Sequence, residues 1–568
     1  MIMALVLLAG CHQQKQGDEL GNEPPEQIQE TAPPHSEPEQ AQEMSEPRPK
    51  TVYFPDVTRK ERVIDSKYGI YYEIFVRSFA DSDGDGIGDF KGLTRQLDYL
   101  KDDSSDEDLN VDGIWLMPVN ASPSYHKYDV TDYYSIDPEY GTMEDFEQFL
   151  AEAHKRGLKV IMDLVINHTS SQHPWFIESC KSEDNPYRDY YRWAKTDQEG
   201  YNLKGKSPWG SNTWHKKGDS YYYGIFWDQM PDLNYDNPKV RQEIKNIAKF
   251  WLEKGVDGFR LDAALHIYGA HENPVGTDYQ KKNLQWWKEF GAYVEEVNPK
   301  AYLVGEVWDK TSVVAPYYQG LDSLFNFDVG EGIIKAVNSG TGAAVSSKGF
   351  ARWLEEKYSD FTKVERNFLD APFLTNHDQN RSMNQLGKDV GKAKLAAGIY
   401  LTLPGNPFIY YGEEIGMLGT KPDERIREPF VWSKEREAPQ TYWEANLQNT
   451  DTVPVKEQQE DPNSLLNCYK QLIALRQSSK ALKMGDFKAL DSGSSRVIAY
   501  SRNYDMDGKD KESVMVLHNL SSEFETFELI GEDFKDLKVI FETPGPEKST
   551  INQSAISLAP RTTLVLQK

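Results

Sequence analysis

The chain has 568 residues, of which 38% are hydrophobic and 27% charged, and its formal net charge is −26. That length is too great for one small core and sufficient for a barrel with attached domains. The negative balance argues against nucleic acid as a partner, since neutralising phosphates needs an excess of Lys and Arg. Solubility accounts for the acidity, with adaptation to salt as the alternative.

Residues 1–10 are apolar, too short to span a bilayer, and read as the core of a secretory signal. They run into Leu8-Ala9-Gly10-Cys11, which is similar to a bacterial lipobox, where cleavage precedes a cysteine that is then acylated. A basic leading segment is missing, and a plain signal with a chance Cys11 is the alternative. One lipid chain anchors only marginally and two anchor stably. Residues 12–66 form an acidic linker rich in Pro, Glu and Gln, with no Lys or Arg from Asp18 to Glu46. Such a stretch cannot bury enough apolar surface to offset chain entropy, and it would hold the body away from a membrane. Cys180 and Cys468 are too few for a disulfide framework or a thiolate metal site.

From about residue 67, strand and helix alternate, the pattern of a parallel sheet covered by helices. Strands are expected at 70–79, 111–119 and 160–166, the last followed by Asn167-His168. Helices fall at 90–101 and 143–156, the second with Phe146, Phe149, Leu150 and Ala153 at helical spacing and Gly157 past its end. Residues 169–235 are irregular and aromatic-rich, too long for a loop, and so an inserted domain. A helix at 238–254 leads to strand four, Gly258-Phe259-Arg260-Leu261, and Asp262. The Trp286-Trp287 helix leads to strand five, 302–305, and Glu306. Strand six is expected at 323–329, strand seven runs through Phe373-Leu374 into Thr375-Asn376-His377-Asp378, and strand eight spans 407–411. A helix at 464–479 closes the set, and short alternating strands after 483 suggest a β-sandwich. The reading is an α/β fold: a (β/α)8 TIM barrel from 67–168 and 236–482, domain B at 169–235, and an antiparallel β-sandwich domain C at 483–568.

In such barrels chemistry sits at the carboxyl ends of the strands. Asp262, Glu306 and Asp378 all lie there, and three acids so placed form a constellation for glycosidic-bond chemistry. Arg260 precedes Asp262 by two residues, so both side chains share one face of a strand. A guanidinium there would keep Asp262 ionised and aimed. Any one of these groups alone could be a structural polar residue at a strand end. A second site is legible in Asp81-Ser82-Asp83-Gly84-Asp85-Gly86-Ile87-Gly88-Asp89. Asp81, Asp83, Asp85 and Asp89 occupy positions 1, 3, 5 and 9 of a hard-oxygen loop, with Gly86 at 6 and the Ile87 carbonyl at 7. Position 12 is Gly92 and no paired helix precedes it, so the expectation is a structural Ca²⁺ loop, with a metal-free acidic turn as the alternative.

The blocks Asp163-Leu-Val-Ile-Asn167-His168, Gly258-Phe-Arg260-Leu-Asp262-Ala263, Gly305-Glu306-Val-Trp308 and Thr375-Asn376-His377-Asp378 resemble the α-amylase family, glycoside hydrolase family 13. Met230-Pro231-Asp232-Leu233-Asn234 looks like the group between oligo-1,6-glucosidases and neopullulanases. The resemblance implies a retaining enzyme acting on α-glucans, with Asp262 as nucleophile, Glu306 as acid and base, and Asp378 binding sugar hydroxyls. It also implies that His168 and His377 donate to the same sugar and that Tyr128 stacks on it. A Ca²⁺ in the acidic loop is implied, and a second at Asn167, Asp232 and the His266 carbonyl. Leu265 departs from the lysine many members carry there, and Ala263 resembles α-1,4-acting members. Arg425 to Phe430 and the loop to about 462 are expected to shape outer subsites. The expectation is a secreted, lipid-anchored, monomeric α-amylase cutting internal α-1,4 bonds of starch-like glucans. An exo-acting α-glucosidase or a transglycosylase of the family, and a non-catalytic glucan-binding lipoprotein, are the alternatives.

Overall fold

The structure, a computed structural model, describes residues 67–567 apart from 103–106, 197–199, 273–275, 507, 530–536 and 553. Cys11 and the 12–66 linker lie outside the described residues.

Eight short strands form one parallel sheet. They are β1 (Tyr71–Ile74), β2 (Gly113–Leu116), β3 (Lys159–Leu164), β4 (Gly258–Leu261), β5 (Tyr302–Gly305), β6 (Ser323–Phe325), β7 (Leu369–Ala371) and β8 (Phe408–Tyr410). Their order is β7-β6-β5-β4-β3-β2-β1-β8. Two backbone bonds link the ends, Asn406 N to Asp370 O at 2.8 Å and Phe408 N to Pro372 O at 3.0 Å, so the sheet closes into a barrel. Inward-facing residues fill it with rings and branched chains: Tyr71 stacks on Tyr302 and on Phe408, each at 5.2 Å, and Trp115 meets Phe325 at 5.2 Å. Gly258 opens β4 with φ 148°, and a Cβ there would meet Tyr302 O at 2.1 Å. β4 and β5 can therefore approach closely only with glycine at this position.

The helices cover the outside for reasons visible in their sequence. Met143–Lys155 starts at a capping box between Thr142 and Asp145 and buries Phe146, Phe149, Leu150 and Ala153. Pro238–Glu253 has Asn237 as N-cap and buries Val240, Ile244, Ile247, Ala248 and Trp251 at helical spacing. Each such large apolar side chain contributes roughly 1.5–3 kcal/mol on burial.

Between β3 and Pro238, strands Trp193–Ala194, Trp214–Lys217 and Ser220–Tyr223 form a small antiparallel sheet with its own core of Ala194, Trp214, Tyr223 and Ile225. Beyond the barrel, a five-stranded and a three-stranded antiparallel sheet enclose Val497, Leu517, Phe527, Ile556, Leu564 and Leu566. Arg502 ties this unit to the barrel by donating to Thr402 O at 2.7 Å.

Several strands are shorter than their apolar runs suggest. β1 stops at Ile74 and the chain turns into the helix Val76–Phe79. β6 stops at Phe325, because Phe327–Ser339 is helical. The Phe373-Leu374 run is not in β7, which ends at Ala371 before Pro372, a residue that cannot donate to a ladder. Asp378 thus stands on a loop rather than at the strand end.

Candidate active site

Arg260 is the centre of the barrel mouth. It points inward from β4, is fully buried, and lies over Trp115 at 5.3 Å. One guanidinium nitrogen, Nη1, donates to Asp262 Oδ1 at 2.6 Å and to Asp163 Oδ1 at 2.9 Å, while Nη2 donates to Glu306 Oε2 at 2.7 Å. A planar cation with several donors is suited to join three carboxylates in this way. Glu306 Oε2 also accepts from the Ala263 amide at 3.0 Å. That contact is made possible by Ala263 taking φ 47°, a left-handed conformation uncommon for a residue with a Cβ. The side chains of Asp262 and Glu306 keep 10% and 17% of their exposure, so both carboxyls face the cleft from a buried floor.

A second cluster lies beside the first. His377 Nδ1 meets Glu73 Oε1 at 2.5 Å and its Nε2 lies 3.1 Å from Asp378 Oδ2 and 2.6 Å from Tyr128 Oη. Arg427 Nη2 donates to Asp378 Oδ1 at 2.9 Å and its Nε to the His377 carbonyl at 3.0 Å. Tyr128 Oη also donates to Asp163 Oδ2 at 3.1 Å, and His168 Nε2 contacts Tyr128 O at 3.0 Å.

The electrostatics follow from burial set against these partners. Burial raises Glu306 and Asp262 above the ordinary carboxyl value, and Arg260 opposes it at both. Burial pushes Asp163 up to about 7, again against Arg260. Burial would lower His377, but Asp378 and Glu73 outweigh it and hold the ring up at about 9. Burial would raise Asp378, but His377 and Arg427 keep it well below the usual range. Burial takes His168 down to about 4, against the Tyr128 carbonyl and Asp129, and leaves a neutral ring at neutral pH. A raised acid at Glu306, a carboxylate at Asp262 aimed by Arg260, and an ionised Asp378 give the mouth the groups needed for proton transfer, nucleophilic attack and hydroxyl binding.

A model of the alpha amylase catalytic domain matches residues 73–485. The chain belongs to the α-amylase family. Among α-amylase-family relatives, Alpha-amylase 3 of Dictyoglomus thermophilum is 46% identical over 88% of this chain and 93% of its own length. An Oligo-1,6-glucosidase of Parageobacillus thermoglucosidasius is 34% identical over 82% of this chain and 92% of its own. The crystal structure of alpha-amylase from H. orenii superposes with a TM-score of 0.80 at 45% identity, covering 88% of this chain and 99% of that one. As an α-amylase-family enzyme, the protein is a glycoside hydrolase.

Asp262, Glu306, Asp378, Tyr128, His168, Arg260 and His377 are thus gathered in one mouth. Three further residues complete it: Asp163, Glu73 and Arg427. A lone acid inside the apolar strand Tyr71–Ile74 is the signal for Glu73, and Asp163 stands within a block already quoted. Arg427 comes from a segment that sequence alone associates only with outer positions.

The acidic loop follows β1. Ligand oxygens of Asp81, Asp83 and Asp89 lie within 4.8 Å of one another, which fits a hard cation. Asp81 is buried and its two oxygens accept from the Gly84 and Gly86 amides, each at 2.7 Å. Asp85 is outside that trio, its Oδ1 accepting from the Ile87 amide at 2.7 Å. Tyr442 clamps the loop from above, its hydroxyl on Gly84 O and its amide on Gly86 O. At the second position, Asn167 Oδ1 and Asp232 Oδ2 are buried with no hydrogen-bond partner among the described residues. The segments that carry them are joined by the Leu233 amide donating to Asn167 O at 2.9 Å, and orphaned oxygens so placed fit a cation too. His266 turns its ring to Trp209 and Phe226.

Proposed function

We propose that the protein is a retaining α-amylase cleaving internal α-1,4-glucosidic bonds of starch-like glucans and maltodextrins. The observation that carries this reading is the sharing of one buried guanidinium by Asp262 and Glu306. Retention needs two carboxyls roughly 5–5.5 Å apart, and a common cation holds such a pair together. Asp262 attacks the anomeric carbon while Glu306 gives its proton to the glycosidic oxygen. The C–O bond breaks, the leaving glucan departs as an alcohol, and the sugar stays esterified to Asp262. Glu306, now a carboxylate, takes a proton from water as the water oxygen attacks the same carbon and frees Asp262. The raised proton affinity of Glu306 supports its role as acid. Asp378, held ionised, accepts sugar hydroxyls, and Tyr128, His168 and His377 border the same sugar.

The acidic loop holds a structural Ca²⁺ through Asp81, Asp83 and Asp89, with Asp85 and the Ile87 carbonyl at its rim, and Asn167 and Asp232 hold a second. A chelator should lower the melting temperature and added Ca²⁺ restore it; an unchanged melt would remove the metal from both positions. Cys11 carries a lipid anchor, and the 12–66 linker tethers a secreted monomer to the surface. No described helix is long and apolar enough to cross a membrane. Radiolabelled palmitate in the parent but not in Cys11→Ser tests the anchor, and equal labelling defeats it.

The deciding measurement is the early product profile on soluble starch and on maltotriose. Mixed oligosaccharides from starch, with slow attack on maltotriose, are expected. Glucose from the first minutes, fastest on maltotriose, would replace this reading with an exo-acting glucosidase, the alternative favoured by the likeness to an oligo-1,6-glucosidase.

A further inference from the structure

We infer that Glu73 is a positioning residue that keeps His377 a doubly protonated cation, so that its Nε2–H always donates into the mouth; its part in turnover rests on the α-glucan reading above. A buried acid in an apolar strand costs free energy unless it is paired. Glu73 is 1% exposed. It shares the inward face of β1 with Tyr71, two residues earlier. Its Oε1 lies 2.5 Å from His377 Nδ1. The His377 ring is fully buried, parallel to Tyr128 at 5.5 Å and 15° and edge-on to Trp115 at 5.6 Å and 75°. Its other nitrogen, Nε2, faces Asp378 Oδ2 at 3.1 Å and Tyr128 Oη at 2.6 Å.

The partners decide where the protons are. An ionised carboxylate only accepts, so an imidazole with a carboxylate at each nitrogen donates from both. Nε2–H then gives to Tyr128 Oη, and the phenol passes its own proton on to Asp163 Oδ2 at 3.1 Å. Asp163 Oδ1 in turn accepts from Arg260 at 2.9 Å. One chain of hydrogen bonds with a single direction therefore joins the His377 cluster to the Arg260 cluster. Burial raises Glu73, and His377 opposes that rise. Of the other groups around the ring, Asp163 and Asp262 act on it through space from β3 and from the end of β4. Arg427 holds the His377 carbonyl and keeps Asp378 ionised. Other buried histidines show what the ring does without such partners. His168, His173 and His518 meet no carboxylate within hydrogen-bond reach among the described residues, and burial takes them down to about 4, about 4 and about 3. In Glu73→Gln the amide can present its oxygen or its N–H to Nδ1. The ring is then free to lose a proton, and the one that remains is no longer assigned to Nε2.

The test follows the ring itself by NMR of enzyme labelled with ¹⁵N in its histidines, the His377 signal being the one lost in His377→Asn. In the parent the ring should stay cationic at about pH 8, and in Glu73→Gln its midpoint should drop by at least about one pH unit toward the ordinary histidine value. The ratio of kcat/KM on soluble starch, variant over parent at the same pH, should then fall roughly fivefold from about pH 5.5 to about pH 8. Glu73→Asp, which keeps the charge, should hold the ring cationic and the ratio level. A ring that stays cationic in Glu73→Gln would show that Asp378 suffices and would overturn the inference. A ratio that does not move with pH would overturn it too. If Glu73→Gln does not fold, the parent titration decides: a ring already neutral at about pH 7.5 defeats the inference. A parent enzyme inactive on starch defeats the α-glucan reading, while the ring titration still reports on Glu73 and His377.

Discussion

Two groups of buried carboxyls sit at the same end of the barrel and are treated in opposite ways. In the mouth, Asp163, Asp262 and Glu306 share Arg260, and Asp378 lies between Arg427 and His377. Just after β8, Glu413 Oε1 accepts from the hydroxyls of Tyr400 at 2.9 Å and Tyr469 at 2.8 Å. Its neighbour Glu414 accepts from the Tyr72 and Tyr99 hydroxyls, each at 2.6 Å. Among the described residues neither glutamate forms an ion pair. Burial raises the proton affinity of every member of both groups except Asp378, where cations win. Glu413 is pushed up to about 8 and is a neutral acid at neutral pH. Depth raises the proton affinity of both groups; the cations beside the mouth carboxyls oppose that rise, and at Asp378 they reverse it, while the hydroxyls around Glu413 and Glu414 leave the rise standing.

The largest effect expected from breaking this contrast is at Arg260. Arg260→Met keeps bulk but removes the cation shared by three carboxyls. Leaving buried charges unpaired costs about 3–5 kcal/mol, so the denaturant midpoint should fall accordingly, and turnover should collapse because Asp262 loses both its aim and its charge. Unchanged stability across neutral pH would mean that the mouth carboxyls are already neutral, as Glu413 is, and the contrast between the two groups would vanish.

The mouth was far more legible in the sequence than the support around it. Arg260 and Asp262 could be paired because alternate residues of a strand share a face, and β4 is a regular strand. Glu306 follows β5 directly. Asp378 is different: Pro372 ends the ladder early and seven residues of loop bring the carboxyl back, so the apolar Phe373-Leu374 run imitates a strand it does not form. Arg427 reaches Asp378 from a segment 49 residues on, a distance over which periodicity carries no signal. The tyrosine partners of Glu413 come from two helices, Val390–Thr402 and Leu465–Ser478. Their aromatic rings read as ordinary core, which most of each ring is, and only the fold shows that the hydroxyls converge on one acid.

The smaller effect lies at Glu413 and shows itself as a dependence on pH. Its folded value, about 8, stands above an ordinary unfolded glutamate near ~4.3. Between those values the folded protein keeps a proton that the unfolded chain has released. Stability from this group is therefore complete below the unfolded value and is lost as pH rises toward the folded one, at up to about 1.4 kcal/mol per pH unit. Glu413→Gln keeps the shape and the two tyrosine contacts but cannot ionise. Relative to the parent, the variant should gain stability steadily from pH 5, where the folded parent is neutral at this position, to pH 8. Denaturant midpoints at the two pH values read this directly. Parallel curves would show that Glu413 is charged in the fold after all, and that tyrosine hydroxyls can stabilise a buried carboxylate as well as the guanidinium of Arg260 does.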